Sequence, residues 1–310
     1  MRIVRLDEIN NNSGNNLKDI TLTIGTFDGV HKGHKTILDN LKSIAEQKNT
    51  LSAILTFEPH PRKLLFPNET PPKLLNTQEE KKKILSTLGI NLLIICDFNE
   101  NFAKLSSREF VKNYLCQILQ VKTLIIGYDH KIGNDRENNP LKISTSALPY
   151  RLDVHTINAY EENSEKISST KIRNLISECN IEKANNFLGY EYHVSGKVIE
   201  GNKIGRKIGF PTANLIPENQ DKLIPGNGVY KAGIIVDNQE YNAMVNIGCR
   251  PTVSAQTQAT IEANIFDFNK DIYNKNITVY FKKFIRQEKK FNSQEELRNQ
   301  LIKDKKIIQV

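Results

Sequence analysis

His31 and His34 stand three apart in Gly25-Thr26-Phe27-Asp28-Gly29-Val30-His31-Lys32-Gly33-His34, two imidazole donors at one spot in the chain. The preceding run, Thr21-Leu22-Thr23-Ile24, alternates as a strand does, and His34 to Leu41 has a helical pattern. A strand, a glycine-rich turn and a helix start together make an anion site. The first backbone N–H groups of a helix lack intrahelical partners, the helix dipole favours negative charge there, and glycines let a phosphate approach. The same pattern describes a glycine-rich turn with two surface histidines, but its place at a strand-to-helix junction points to phosphate chemistry.

Three more stretches of the first half carry chemistry. Lys166-Ile167-Ser168-Ser169-Thr170-Lys171-Ile172-Arg173 is a second helix start, rich in hydroxyls, which alone reads as an ordinary Ser/Thr cap but whose free N–H groups, hydroxyls and Lys171 or Arg173 also offer a site for β/γ phosphates. In Thr56-Phe57-Glu58-Pro59-His60-Pro61 two prolines fix a rigid turn after a strand, which sets Phe57 and His60 at a sheet's carboxyl edge. Gly127-Tyr128-Asp129-His130-Lys131-Ile132-Gly133-Asn134-Asp135-Arg136 leaves another strand, where a ligand-facing loop is expected.

The second half holds Gly205-Arg206-Lys207-Ile208-Gly209-Phe210-Pro211-Thr212-Ala213-Asn214. Gly205 and Gly209 permit close backbone approach to a phosphate, and Arg206 supplies charge. Thr212 and Asn214, two apart on an extended chain, point to one side. A hydroxyl and an amide oxygen so placed are hard ligands for a Mg²⁺ that keeps most of its waters.

Strand patterns at 52–57, 91–96 and 121–127 alternate with helices, one opened by Thr77-Gln78-Glu79-Glu80 and one by Ser106-Ser107-Arg108-Glu109. That alternation predicts a doubly wound parallel sheet with ligands at the carboxyl ends of its strands. After about residue 185 the period changes. Alternating runs at 192–199, 229–236, 241–247, 260–268 and 277–284 predict a small antiparallel β-barrel, closed by a helix capped at Ser293-Gln294-Glu295-Glu296. Domains of 1–185 and 186–310 follow.

The 310 residues suffice for two cores, and 38% hydrophobic with 25% charged content is ordinary for a globular protein. The N-terminus has no secretory apolar region and no run is long enough to span a bilayer, so a cytoplasmic protein without membrane contact is expected. Cys96, Cys116, Cys179 and Cys249 are scattered and read as reduced structural thiols. The net charge of +8 suits phosphate ligands or nucleic acid, but the lysines are dispersed, without a clustered basic face or an aromatic RNA-binding motif.

In motif order nearly the whole chain resembles the bacterial bifunctional riboflavin kinase/FMN adenylyltransferase (FAD synthetase) family. Gly25 to His34 resembles its H-x-G-H element, Phe57 to Pro61 its F-x-P-H-P element and Ile167 to Arg173 its I-S-S-T-x-I-R element. Gly205 to Asn214 is similar to the riboflavin kinase signature G-R-x-x-G-F-P-T-A-N, and Gly228-Val229-Tyr230 and Asn246-Ile247-Gly248 resemble later parts of that pattern. The 127–138 stretch departs from the family at His130, Ile132 and Asn138.

The resemblance implies two Mg-ATP-dependent steps, riboflavin to FMN in the second half and FMN to FAD in the first, with pyrophosphate released. It implies that Gly25, Thr26, Phe27, Asp28, His31, His34, Ser168, Ser169, Thr170 and Arg173 bind ATP for adenylyl transfer, with Phe57, His60, Asp129 and Arg136 on the flavin side. For the kinase it implies ATP at Gly205, Arg206, Gly209, Thr212 and Asn214, magnesium at Thr212 and Asn214, flavin at Arg286 and Glu288, and Glu262 as general base. Riboflavin, FMN, FAD and ATP are then the partners of a monomer or weakly self-associating enzyme that binds no nucleic acid. Two other readings compete: a kinase with weak or absent adenylyl transfer, and a basic RNA-binding or flavin-sensing regulator on the same fold.

Overall fold

A computed structural model describes residues 1–9, 19–128, 130–135, 140–162, 164–201, 204–250 and 258–309. The chain divides into two compact units, Met1–Pro72 with Asn76–Ser168, and Lys73–Leu75 with Ser169–Val310.

The first unit is built on six strands: β1 Arg2–Arg5, β2 Ile20–Ile24, β3 Leu51–Glu58, β4 Leu92–Asp97, β5 Val121–Gly127 and β6 Asp153–Ile157. All pair in parallel, in the order β1-β4-β3-β2-β5-β6. Alternate residues serve opposite faces, as the strand period requires. Ala53, Leu55, Leu92 and Ile94 join one core with Phe110, Val111 and Leu115, whereas Ile54, Leu93 and Ile95 join another with Leu38, Leu41 and Leu85. Helices α1 (Lys32–Gln47) and α2 (Gln78–Ser86) therefore cover one face. A helix begun at Ser107–Glu109 and continued as a π-helix over Phe110–Ile118, together α3, covers the other with α4 (Pro140–Ala147).

Both capping boxes form. Thr77 Oγ1 accepts from Glu80 N at 3.2 Å while Glu80 Oε2 accepts from Thr77 N at 2.9 Å. Ser106 and Glu109 do the same at 3.2 and 2.9 Å. Strands β1 and β6 carry no clear sequence signal. They are the two edges, short and mixed with charged residues, as edge strands usually are. From β2 the chain builds outward to β3, then crosses back from β4 to β5. The switch in direction lies between β2 and β5, the place where open α/β sheets bind ligands.

In the second unit α5 (Ser169–Ser177) and α6 (Ile181–Leu188) precede a closed barrel of β9 (His193–Ile199), β10 (Ala213–Pro217), β11 (Gly228–Val236), β12 (Gln239–Arg250), β13 (Gln258–Ile265) and β14 (Asn276–Arg286). Every pair in it is antiparallel. The sixth strand is β10, which begins in the last two residues of the glycine-rich stretch and runs on to Pro217. Asn185 ties α6 to the barrel, donating to the Phe281 carbonyl at 2.8 Å and accepting from Tyr192 N at 2.8 Å. Helix α7 (Gln294–Gln309) lies on the apolar group Phe210, Val229, Met244, Phe266 and Ile308. Its cap is shifted by one residue: Ser293 Oγ accepts from Glu296 N, but Glu296 accepts from Asn292 N.

Wholly buried Asp304 on α7 receives Arg286 Nε and Nη2 at 3.0 and 2.8 Å and Gln300 Nε2 at 2.9 Å. Removing one partner of such a pair strands the other charge. Asp304→Ala should therefore lose about 3–5 kcal/mol in urea unfolding. Lys275→Ala, which breaks the exposed and solvent-screened ion pair to Asp237, should leave the urea midpoint nearly unchanged.

Candidate functional site

The turn between β2 and α1 sits at the switch point. Gly25 N donates to the Leu55 carbonyl at 3.0 Å, continuing the sheet for one residue before the chain departs. Phe27, Gly29 and Val30 then take positive φ of 46°, 87° and 34°, so the backbone curls tightly ahead of the helix. His31 is the N-cap: its Nδ1 accepts from His34 N at 3.3 Å. With Nδ1 accepting, a neutral His31 carries its proton on Nε2, a donor for an incoming oxyanion. The two imidazoles stack, centroids 3.7 Å apart and 15° from parallel, with the Phe27 ring 5.1 Å from that of His34.

Gly33 keeps this stack open, since a Cβ there would lie 3.2 Å from the His31 ring. The same Cβ would lie 3.9 Å from the Ile167 carbonyl, so the start of the serine-rich stretch runs against the histidine turn. Lys32 Nζ donates to both oxygens of Glu162 at 2.7 and 3.0 Å, and Lys166 lies 4.4 Å from the Tyr128 ring. These contacts fasten the hairpin of β7 (Glu161–Glu162) and β8 (Glu165–Lys166), which delivers Ser168.

Phe57, next to last in β3, joins an aromatic group with Phe98 and Phe102, centroids at 5.4 and 5.9 Å. His60 Nδ1 accepts from Arg62 N at 3.2 Å, turning the chain after the two prolines. Asp129 and Arg136 lie outside the described residues. Ile132 is 4% exposed and packs into the sheet's core. Asp135 accepts from Ser107 Oγ at 2.8 Å, and Gly133, at φ 78°, passes too close to Ser107 for any side chain. Arg173 Nε donates to the Lys73 carbonyl at 2.7 Å.

The barrel sets up a second constellation through register. Asn214 of β10 pairs with Glu262 of β13, and Glu262 pairs on its other side with Asn246 of β12. Laterally paired residues share a face, so an amide, a carboxylate and an amide stand in one row. Thr212 immediately precedes β10, and a Cβ at Gly205 would lie 3.7 Å from its Cγ2. Gly201 lies against the Asn214 side chain, leaving no room for a Cβ. Gly205 closes the turn before β10, bonding Phe210 N at 2.8 Å through its carbonyl, and Gly209 takes φ 83°. Arg206 is exposed beside them. Glu288 Oε1 accepts from Asn246 Nδ2 at 3.3 Å and packs on Gly248, so it joins the row from the far side. Arg286 is taken up by Asp304.

Residues 13–171 match the family described as FAD synthetase, and residues 188–310 the family described as riboflavin kinase. A bifunctional riboflavin kinase/FMN adenylyltransferase of Buchnera aphidicola subsp. Schizaphis graminum is 38% identical over 99% of this chain and 98% of its own. Its counterpart in Listeria monocytogenes is 38% identical over 91% of this chain and 89% of its own. The chain belongs to the bifunctional riboflavin kinase/FMN adenylyltransferase family. A solved structure described as a macrolide-efflux protein from Streptococcus pneumoniae shares the fold at TM-score 0.89 and 29% identity, covering 99% of this chain and 98% of its own. Efflux is said of that protein. Among the described residues here, no helix is long and apolar enough to cross a membrane.

Against the family's motifs, the structure adds residues that motif reading passes over. Glu162 holds Lys32, Asp304 holds Arg286, and Lys81 reaches the histidine turn from α2. Lys81 belongs to a basic run that reads as solvated surface, and only its burial distinguishes it from Lys82 and Lys83. Among the thiols, burial holds Cys96 up to about 12 and also raises Cys116, in keeping with unreactive structural roles.

His34 Nδ1 is sealed from solvent without a hydrogen-bond partner among the described residues. Burial pushes the His34 pKa well below its ordinary value, and the charges of His31 and Lys81 push the same way. The unfolded chain binds a proton at the ordinary histidine pKa while the folded site rejects it, so this group weakens the fold as pH falls through that value. By histidine NMR, the His34 C2–H resonance should stay at its neutral position from pH 8 down through the ordinary value of 6.5. Titration near 6.5 would contradict a ring held neutral in the folded site.

Proposed function

We propose that the chain phosphorylates riboflavin to FMN in its second half and adenylylates FMN to FAD in its first, each time with Mg-ATP. The functional division we assign is 1–185 and 186–310, supported by the family matches on either side of it. The reading rests on the register that aligns Asn214, Glu262 and Asn246, in a chain whose parallel sheet carries its histidine pair at the switch point.

In adenylyl transfer an ionised phosphate oxygen of FMN attacks the α-phosphorus of ATP. A new P–O bond forms, the bond to the β-phosphate breaks, and pyrophosphate leaves. An ionised nucleophile needs no base, so the protein positions reactants and neutralises growing charge. Gly25 to Asp28 and the start of α1 cradle the triphosphate, and His31 and His34 donate to its α and β groups. Ser168, Ser169, Thr170 and Arg173 take the outer phosphates. Phe57, His60, Asp129 and Arg136 serve the flavin side.

In the kinase step Glu262 takes the proton of the ribityl 5′-hydroxyl as that oxygen attacks the γ-phosphorus and ADP departs. Gly205, Arg206 and Gly209 bind the nucleotide, and Glu288 and Arg286 form the flavin side, Arg286 through its hold on α7. Thr212 and Asn214 offer neutral oxygens beside a carboxylate, which suits a hard cation that keeps its phosphate and water ligands. Magnesium bound there would neutralise charge on the transferring phosphoryl group.

Chromatography of flavins after incubation with ATP and Mg²⁺ tests the assignment. Glu262→Ala should cut FMN formation by ~100-fold or more and leave conversion of supplied FMN to FAD intact. His31→Ala should lose FAD formation and keep FMN formation. Loss of both activities in either folded variant would refute separate sites, and FMN accumulating without FAD in the wild type would leave only the kinase.

A further inference from the structure

Lysine is among the residues least often buried without a partner. Lys81 is 6% exposed, although its neighbours Lys82 and Lys83 in α2 face outward. Its Nζ donates to the Thr26 carbonyl at 2.7 Å, and the same carbonyl accepts from Thr56 Oγ1 at 3.3 Å. Two residues further on, Asp28 Oδ1 accepts from Asn76 N at 3.1 Å. The turn so held is a strained one. Phe27 and β-branched Val30 both sit at positive φ, a conformation that persists only where the surroundings impose it. His31 follows immediately and sets the cap from which the histidine stack is built.

We infer that Lys81 is a positioning residue for adenylyl transfer: it fixes the strained turn through Thr26 and places a positive charge behind the histidines that receive the triphosphate. The inference rests on the adenylyltransferase reading of the first half. Three observations support it independently of that reading: the buried ammonium, its bond to the turn, and the positive-φ residues between that bond and His31. An uncharged donor would hold Thr26 equally well, so the choice of lysine points to the charge. The charged or titratable groups facing it are Asp28 from the β2–α1 turn, His34 from the first turn of α1 and Glu58 at the end of β3, with Glu80 next to it on its own helix. Burial lowers its pKa to about 8, against the raising influence of the two carboxylates Asp28 and Glu58. Its charge is therefore present at neutral pH and lost as pH rises through that value.

The test follows FMN to FAD conversion from pH 7 to 9.5 in the wild type and in Lys81→Met, with riboflavin phosphorylation in the same samples as an internal control. In the wild type the KM for ATP should rise about tenfold through pH 8, with a smaller change in kcat, the effect of one charge at several ångströms in a partly screened site. Lys81→Met should show the raised KM already at pH 7 and no further rise, with its kinase rate unchanged. A merely structural lysine would not move KM with pH in the wild type. A flat wild-type KM overturns the proposal without recourse to any variant, as does a folded Lys81→Met with wild-type KM at pH 7. A wild type that makes no FAD from supplied FMN overturns the adenylyltransferase reading and this inference with it.

Discussion

The first backbone N–H groups of a helix have no carbonyls to bond within the helix, and the first unit is arranged around that deficit at α1. His31 answers part of it, its ring nitrogen accepting from His34 N, and in doing so fixes which of its own nitrogens can donate outward. The stacked second imidazole is kept neutral by burial. A turn with three positive-φ residues is needed to bring the chain from β2 into this geometry. The clamps on Thr26 and Asp28, the packing of Gly33, and the Lys32–Glu162 pair each remove a way for it to relax.

The barrel solves a different problem with a different device. Its reactive groups come from strands far apart in sequence, and antiparallel pairing brings them together in a row that no local interaction dictates. Such a row is only as good as the register. The packing of Gly201 on Asn214, the Asn264 bond to the Pro211 carbonyl at 2.7 Å, and the docking of α7 through Asp304 and Ile308 all resist slippage. A one-residue slip would turn Glu262 to the opposite face and bring Ile261 or Ala263 into its place.

Much of this was legible beforehand because local rules governed it. The capping boxes at Thr77 and Ser106, the apolar strands β3 to β5 and the alternating strands of the barrel follow from propensity and period, and the motif segments lie at the strand and helix ends expected of them. Edge strands β1 and β6 were not legible, since an edge needs little hydrophobic pattern. Strand β10, which begins within the glycine-rich stretch, was hidden because five residues ending in proline give too short an alternation. Asp304 and Lys81 escaped notice for a related reason: a charged residue in a polar helix looks solvated until its burial is known.

By itself the sequence determined the two architectures, the order of their motifs and the residue types able to handle phosphate, because strand period, helix caps and glycine conformations act over a few neighbouring residues. Only the tertiary structure decided which charges are buried and that Asn214, Glu262 and Asn246 share one row. Those depend on contacts between segments well separated in the chain, as between Thr26 and Lys81 or between Asn214 and Glu262. Desolvation and strand register are properties of the packed molecule, and no stretch of chain carries them alone.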